Sequence, residues 1–117
     1  MTDQDIPILK KSSELYKIFH TYRKLVPKAV RFTIYERCEA LLLEVIECFL
    51  EAGYTNKGNK LDILERASVK LNTLRFLIRL MKEIKVFDLK KYTTLQEMID
   101  EIGRMLGGWI RSTAAPR

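Results

Sequence analysis

The sequence of 117 residues is poor in turn-forming residues, with only five glycines and three prolines. An all-β fold needs many tight turns, which draw heavily on these two residues. One histidine and two cysteines leave few ligands for a metal ion and no framework of disulfides. No run of about 18 apolar residues occurs, so the sequence contains no candidate transmembrane span. The composition therefore favours a single, all-helical domain.

The two cysteines cannot form a disulfide within the chain. Cys38 and Cys48 fall in one predicted helix, where ten residues separate them by about 15 Å along the axis. We expect both to be reduced, buried residues, which suits a reducing compartment. The N-terminal sequence MTDQDIPILKK begins with acidic residues and lacks the apolar segment of a signal peptide. These features predict a cytoplasmic protein.

An apolar seam runs through the stretch from Asn59 to Lys85, and the rest of the chain is expected to cover it. Its alternating spacing of three and four residues predicts a helix of about seven turns. We expect Asn59 to cap the helix, with Asp62 complementing the helix dipole. The seam consists of Leu64, Ala67, Leu71, Leu74, Ile78 and Met81.

Three further amphipathic segments surround this helix. The first is predicted to run from Ser12 or Ser13 to Val26, and Pro27 ends it. The second is predicted to run from Arg31 to Ala52, followed by Gly53 as a C-cap able to take a positive φ. The last is predicted to begin at Thr94, which forms a capping box with Glu97. Their seams are Leu15, Ile18, Tyr22 and Leu25; Tyr35, Cys38, Leu42, Val45, Phe49 and Ala52; and Leu95, Met98, Ile102, Met105 and Trp109.

The four segments predict an antiparallel up-down-up-down four-helix bundle. We expect one domain over residues 1–117, with flexible ends at 1–11 and 112–117. Residues 86–93 fit a helical extension, an irregular crossing or a short packed turn.

No arrangement of residues typical of an enzyme is present. His20 stands alone, which is typical of a surface residue and not of a metal ligand or a base. Glu44, Glu47 and Glu51 lie on one side of the second helix. They would hold a metal only if carboxylates from other helices converged on them, and a solvated stripe or pairing with arginines fits better. We therefore predict no catalytic site, no metal and no cofactor.

The charge is segregated along the chain. Lysine and arginine outnumber aspartate and glutamate by 21 to 15, a net charge of +6. Basic residues dominate from Lys10 to Arg37 and return on the helix predicted from Asn59 to Lys85, whereas the segment Glu39–Glu51 contains four acidic residues and no basic one. Such a surface suits polyanions or stacking of copies of the chain. Arg75 and Arg79 can bind phosphate bidentately; the alternative is that they are solvated or paired with glutamates.

The presence of two glycines inside the last predicted helix requires an explanation, because glycine destabilises a helix interior. Gly103 and Gly107 are four residues apart and share a face. They either accommodate a bulky neighbour within the bundle or allow a second subunit to approach. In the second case Trp109 is a candidate anchor, since aromatic residues are enriched at interface centres.

The sequence resembles a known family over nearly its whole length. The string Leu74-Arg75-Phe76-Leu77-Ile78-Arg79-Leu80 and the later string from Glu101 to Ile110, EIGRMLGGWI, resemble the accessory variability determinant (Avd) proteins of diversity-generating retroelements. The pattern Tyr16, Phe19, Pro27-Lys28 and Arg31 is shared with the wider group of four-helix-bundle proteins encoded in ribosomal RNA intervening sequences.

This resemblance implies a non-enzymatic protein that assembles as a homopentameric barrel with a basic surface. It implies association with the retroelement's reverse transcriptase and with template RNA or DNA, in support of mutagenic retrohoming. The alternative is a structural or interaction protein of the wider group, without a transcriptase partner. The candidate residues for nucleic-acid or partner binding are Arg23, Lys24, Lys28, Arg31, Arg75, Arg79, Lys82 and Arg104. The candidates for a subunit interface are Gly103, Gly107 and Trp109.

Overall fold

Four long helices dominate the computed structural model, which describes residues 5–115. Among those residues the chain forms no β-strand. The α-helices are α1 (Asp5–Tyr22), α2 (Lys28–Val30), α3 (Glu36–Gly53), α4 (Lys57–Glu83) and α5 (Leu89–Ala114). A 3₁₀-helix, Arg23–Leu25, follows α1, and a π-helix, Arg31–Tyr35, joins α2 to α3. The all-helical, four-helix prediction is confirmed.

The long helices close into a ring in which α1 packs on α3 and α5, and α4 packs on the same two helices. Short connectors make consecutive long helices antiparallel. Two ion pairs show the antiparallel register of α3 and α4: Lys70 Nζ lies 2.7 Å from Glu44 Oε1, and Arg66 Nη2 lies 3.9 Å from Glu51 Oε1. Lys11 Nζ, 3.0 Å from Glu101 Oε2, links α1 to α5. The resulting rod measures 50 × 23 × 19 Å.

The core follows the predicted seams most closely in α4 and in α3 with the preceding Tyr35, where all twelve predicted seam residues are buried. In α5 three of the five predicted seam residues, Leu95, Ile102 and Trp109, are buried. The other two, Met98 and Met105, are only half-buried, and their neighbours Ile99 and Leu106 are buried. Leu25 was wrongly placed in the core, because it is 57% exposed. The tighter 3₁₀ turn changes the angular spacing of side chains at that point, and Val26 is buried instead.

The first helix begins earlier than predicted. Ser12 is not a cap: it lies inside α1, where its hydroxyl donates to the carbonyl of Ile8 at 2.7 Å. Ile8 itself is buried, so burial of apolar surface stabilises the early start. The last helix ends later than predicted, at Ala114. Of the predicted flexible ends, residues 5–11 and 112–114 are thus helical, and residues 1–4, 116 and 117 lie outside the described residues.

The caps of α4 were also misplaced. Asn56 is the N-cap, since its side chain accepts a hydrogen bond from the Asn59 backbone N–H at 3.3 Å. Gly53 ends α3 without the positive φ predicted for it. A positive φ of 65° occurs instead at Lys85, where the chain leaves α4.

Residues 86–93, for which the sequence allowed three conformations, form a short turn followed by the first residues of α5. Asp88 caps α5 by accepting from the Lys91 N–H at 2.8 Å, and this bond lowers the pKa of the Asp88 carboxyl. Thr94 is not part of a capping box, because it lies inside α5 and donates to the Lys90 carbonyl.

An aromatic cluster fixes this turn to the opposite connector. The ring of Phe87 is buried and lies 6.1–6.3 Å from the rings of Phe19, Tyr22 and Tyr35. The Tyr35 hydroxyl donates to the Phe19 carbonyl, and burial raises the pKa of that hydroxyl. The cluster therefore brings residues 23–35 and 84–91 together at one end of the bundle, here called the connector end.

Candidate nucleic-acid interface

The predicted basic residues divide between two regions of the bundle. One is the connector end, which holds Lys82 of α4 in addition to the basic residues of the two connectors. The other is the groove between α4 and α5, here called the α4–α5 flank, where Arg75, Arg79 and Arg104 lie. The basic residues at the connector end are Arg23, Lys24, Lys28, Arg31, Lys82, Lys85, Lys90 and Lys91.

Most of the connector-end charge is free of acidic partners. Among the described residues, acids pair with two of these side chains: Glu39 Oε1 lies 2.7 Å from Arg23 Nη1, and Asp88 Oδ2 lies 3.1 Å from Lys91 Nζ. Within residues 5–115 the other six form no ion pair; Lys82 Nζ instead lies 4.7 Å from the ring centroid of Tyr92. The connector end therefore carries unneutralised positive charge.

A cleft of about 380 Å³ opens at the connector end. Four basic side chains and one threonine line it: His20, Thr21, Arg23, Lys24 and Arg31. Glu39 is the one carboxylate of the described chain within ion-pair distance of this set, 2.7 Å from Arg23 and 3.8 Å from the His20 Nδ1. With three permanent cations and one anion, the cleft is suited to an anionic group.

Arg31 is held in this cleft by the backbone and not by an acid. Its Nη2 donates to the Val26 carbonyl at 3.0 Å, and its Nε is buried without a hydrogen-bond partner within the described chain. A half-buried guanidinium without a carboxylate bears a desolvation cost, which a bound phosphate would offset.

The α4–α5 flank is different, because its two best-predicted arginines face acids of the same chain. Arg75 Nη2 lies 3.4 Å from Asp100 Oδ1, and Arg75 Nη1 donates to Asn72 Oδ1 at 2.6 Å. Arg79 Nε lies 3.8 Å from Glu83 Oε1. Arg79 thus pairs with a glutamate of its own helix, which is the alternative considered from sequence, although its side chain stays exposed. Arg75 instead pairs with an aspartate of another helix.

Gly103 makes room for Arg75 within the bundle. A Cβ atom at Gly103 would lie 3.1 Å from Arg75 Nη2, tighter than an ordinary contact. A Cβ atom at Gly107 would likewise lie 3.3 Å from Arg111 Nη1. Both glycines and the exposed Arg104 line a groove of about 600 Å³ between α4 and α5. The first explanation for the glycines, a bulky neighbour in the same bundle, accounts for Gly103, and the subunit contact stays a prediction.

Trp109 is a core residue of its own subunit. It is 5% exposed, and its ring centroid lies 6.2 Å from that of Phe49. Lys60 Nζ covers it from outside at 5.9 Å. Because so little of the indole is exposed in the single chain, Trp109 offers almost no surface for the contact with a second subunit that the sequence predicted.

The acidic stripe of α3 takes part in ion pairs. Glu44 pairs with Lys70 and with Arg37, at 2.7 and 3.4 Å, and the hydrogen bond from Lys70 lowers the pKa of the Glu44 carboxyl. Glu51 lies 3.9 Å from Arg66. Over residues 5–115, no three histidine, cysteine or acidic side chains converge as they would around a metal ion.

The two thiols are buried and protonated at neutral pH. Burial raises the pKa of Cys38 to about 12 and also raises the pKa of Cys48.

None of the helices formed by residues 5–115 has the length and apolarity needed to cross a bilayer.

Phe32 was missed by sequence reasoning. It precedes the seam residue Tyr35 by three positions, so helical periodicity places it in the core. In the structure it is 56% exposed, because residues 31–35 form a π-helix whose longer turn changes the side-chain register. Periodicity alone gives no signal for this exposure.

Comparison with known proteins identifies a family. The sequence profile of the bAvd-like family matches residues 6–113. A solved structure of a protein of the S23 ribosomal protein family from Bacteroides thetaiotaomicron VPI-5482, itself of unknown function, superposes with a TM-score of 0.82. The two chains share 18% identity over 92% of this chain and 98% of the other, which establishes the shared fold. No curated protein matches the sequence.

Proposed function

The chain belongs to the bAvd-like family, and we propose that it is a non-enzymatic accessory protein of a diversity-generating retroelement. In this role it binds the reverse transcriptase and the template nucleic acid in the cytoplasm, in support of mutagenic cDNA synthesis. The family match supports the accessory role, since the bAvd-like family is an accessory protein family and not a known enzyme family.

The observation that carries the nucleic-acid part of this proposal is the connector end. Six basic side chains there have no acidic partner within the described residues, so binding phosphates does not require breaking an internal ion pair. Contacts of lysine and arginine with phosphates are independent of sequence and weaken as salt rises. Arg104 on α5 is a further cation that forms no ion pair with the described residues, whereas Arg75 and Arg79 would have to leave Asp100 and Glu83 to bind phosphate.

The experiment is a binding titration of purified protein with template RNA over a series of salt concentrations. We expect the logarithm of the affinity to fall linearly with the logarithm of the salt concentration, with a slope of several charges. In parallel, the reverse transcriptase of the same retroelement is co-expressed with the tagged chain. Absence of RNA binding at low salt, together with absence of a complex with the transcriptase, would refute the proposal.

We propose a homopentamer as the assembled form, and the number comes from the resemblance to Avd proteins. The groove lined by Gly103 and Gly107 is the candidate subunit contact, since small residues allow close approach of another backbone. Measurement of the mass in solution tests this assembly. A monomer at micromolar concentration would contradict it.

A second candidate function is a structural or interaction role within the ribosomal RNA intervening-sequence group. The similarity of fold to the S23-family structure favours it. The gene neighbourhood discriminates the two, because a location within a ribosomal RNA operon supports this candidate and an adjacent reverse transcriptase with a template repeat supports the first.

A further inference from the structure

We infer that the connector end binds nucleic acid in single-stranded form, with one base stacked on the ring of Phe32 and the adjoining phosphates in the cleft beside it. This inference rests on the proposed nucleic-acid binding and adds the class of strand and the residue that selects it.

The first observation is the exposure of Phe32. A phenylalanine that is 56% exposed forfeits the stabilisation of apolar burial. It lies in the π-helix Arg31–Tyr35, and single π turns inside helical stretches occur frequently at functional sites. Two residues of the same turn, Ile34 and Tyr35, pack into the core, so the turn is anchored while Phe32 points to solvent.

The second observation is the charge that surrounds this ring. The guanidinium carbon of Arg23 lies 5.4 Å from the Phe32 ring centroid. Arg23 also lines the basic cleft with Lys24 and Arg31. The aromatic face and the basic cleft therefore share the side chain of Arg23, which places a stacking surface next to a group of cations that could bind the phosphate backbone.

This pairing is the chemistry that recognises single strands. Proteins that bind single-stranded nucleic acid combine a positively charged groove with aromatic side chains on which bases stack. In a duplex the bases are already stacked and paired, so Phe32 could reach one only by opening the helix. The exposed ring thus adds affinity for a single strand and little for a duplex.

The chain supplies a matched control in Phe76. It is 51% exposed, and the guanidinium carbon of Arg79 lies 5.1 Å from its ring centroid. The two phenylalanines therefore agree in exposure and in arginine contact. Both arginines are also paired with a glutamate, Arg23 with Glu39 and Arg79 with Glu83. The surroundings differ, because the cleft beside Phe32 is lined by the further cations Lys24 and Arg31, whereas the pocket beside Phe76 holds one aromatic and two amide side chains in addition to Arg75 and Arg79.

The experiment measures binding of a short uridine-rich RNA, single-stranded or as a duplex of equal length, by fluorescence anisotropy. Phe32→Leu keeps apolar bulk but removes the aromatic face, and Phe76→Leu is the control. We expect Phe32→Leu to weaken single-strand binding about tenfold, the size typical of base–aromatic stacking, with duplex binding and the salt dependence unchanged. We expect Phe76→Leu to match the wild-type protein.

Each other outcome is decisive. Equal affinities of Phe32→Leu and the wild-type protein for the single strand would overturn the inference and leave the proposed function standing, as would tighter binding of the duplex. Failure of the wild-type protein to bind either RNA at low salt would refute the proposed function itself. Binding to anionic phosphatidylserine vesicles that depends on Phe32, with RNA binding that does not, would reassign the connector end to a membrane surface and overturn the inference.

Discussion

The connector end and the α4–α5 flank carry similar side chains in different electrostatic settings. Each presents a half-exposed phenylalanine with an arginine over its ring, Phe32 with Arg23 and Phe76 with Arg79. On the flank the neighbouring Arg75 is paired across the bundle with Asp100. At the connector end Arg31 forms no ion pair within the described chain, and its guanidinium donates to the Val26 carbonyl. The comparison teaches that the availability of a basic residue depends on its neighbours in space and not on its place in the helix.

The largest expected effect concerns the aromatic cluster that fixes the connector end. Phe87 is 4% exposed, and replacing a buried phenylalanine by alanine costs about 3 kcal/mol or more. We therefore expect Phe87→Ala to lower the free energy of unfolding by about that amount in urea titrations, and to weaken RNA binding because the two connectors separate.

Phe76→Ala is the control for this variant, since its ring is half-exposed on the flank. We expect it to change stability by no more than about 0.5 kcal/mol, as is usual for surface positions. If both variants unfolded at the same urea concentration, the connector end would not be held by Phe87 and the contrast between the two regions would fail.

The next effect concerns the glycines of α5. Gly108→Ala meets its nearest neighbour, Arg111, at an ordinary 3.8 Å, so we expect a stabilisation of about 0.5–1 kcal/mol from helix propensity. Gly103→Ala should gain less, because its Cβ would displace Arg75 from the 3.1 Å contact and weaken the Arg75–Asp100 pair. Thermal unfolding measures both changes.

An equal gain in the two alanine variants would show that Arg75 does not depend on Gly103. A loss of assembly in Gly103→Ala, detected by mass in solution while the helix content is unchanged, would assign the glycine to a subunit contact instead.

The sequence was sufficient for the framework of the bundle but not for its ends. The three–four spacing located the seams of α3 and α4, because burial of apolar surface dominates there. It misplaced caps, since Asn56 and Asn59 are both able to cap and only the backbone decides which does. It could not reveal that Arg75 faces Asp100, because that pairing joins residues 25 positions apart on different helices. The exposure of Phe32 could not be predicted either, because it results from a π-helix at residues 31–35 that the apolar spacing does not indicate.

The smallest expected effect concerns pH and the acidic stripe on α3. The hydrogen bond from Lys70 lowers the pKa of Glu44 below its ordinary value of 4.5. Since the folded-state pKa is lowered, the contribution of this ion pair is fully present above pH 4.5 and is lost as the pH falls through the lowered pKa. We expect Glu44→Gln to cost about 0.5 kcal/mol at neutral pH, the usual size for such a pair, and nothing in strong acid.

Glu47→Gln is the matched control, because Glu47 is exposed on the same helix and forms no ion pair within the described residues. Denaturant titrations at neutral and acid pH measure the difference. A cost for Glu44→Gln that persisted unchanged in acid would show that the ion pair with Lys70 is not its source.

The most direct test of the account compares the salt dependence of RNA binding in two double variants. Lys24→Ala/Lys28→Ala removes two unpaired cations from the connector end, and Arg75→Ala/Arg79→Ala removes two paired cations from the flank. We expect the first to reduce the slope of log affinity against log salt by about two, one for each lost phosphate contact, and the second to leave it nearly unchanged. A slope reduced only by the flank variant would contradict the assignment of the nucleic-acid interface to the connector end.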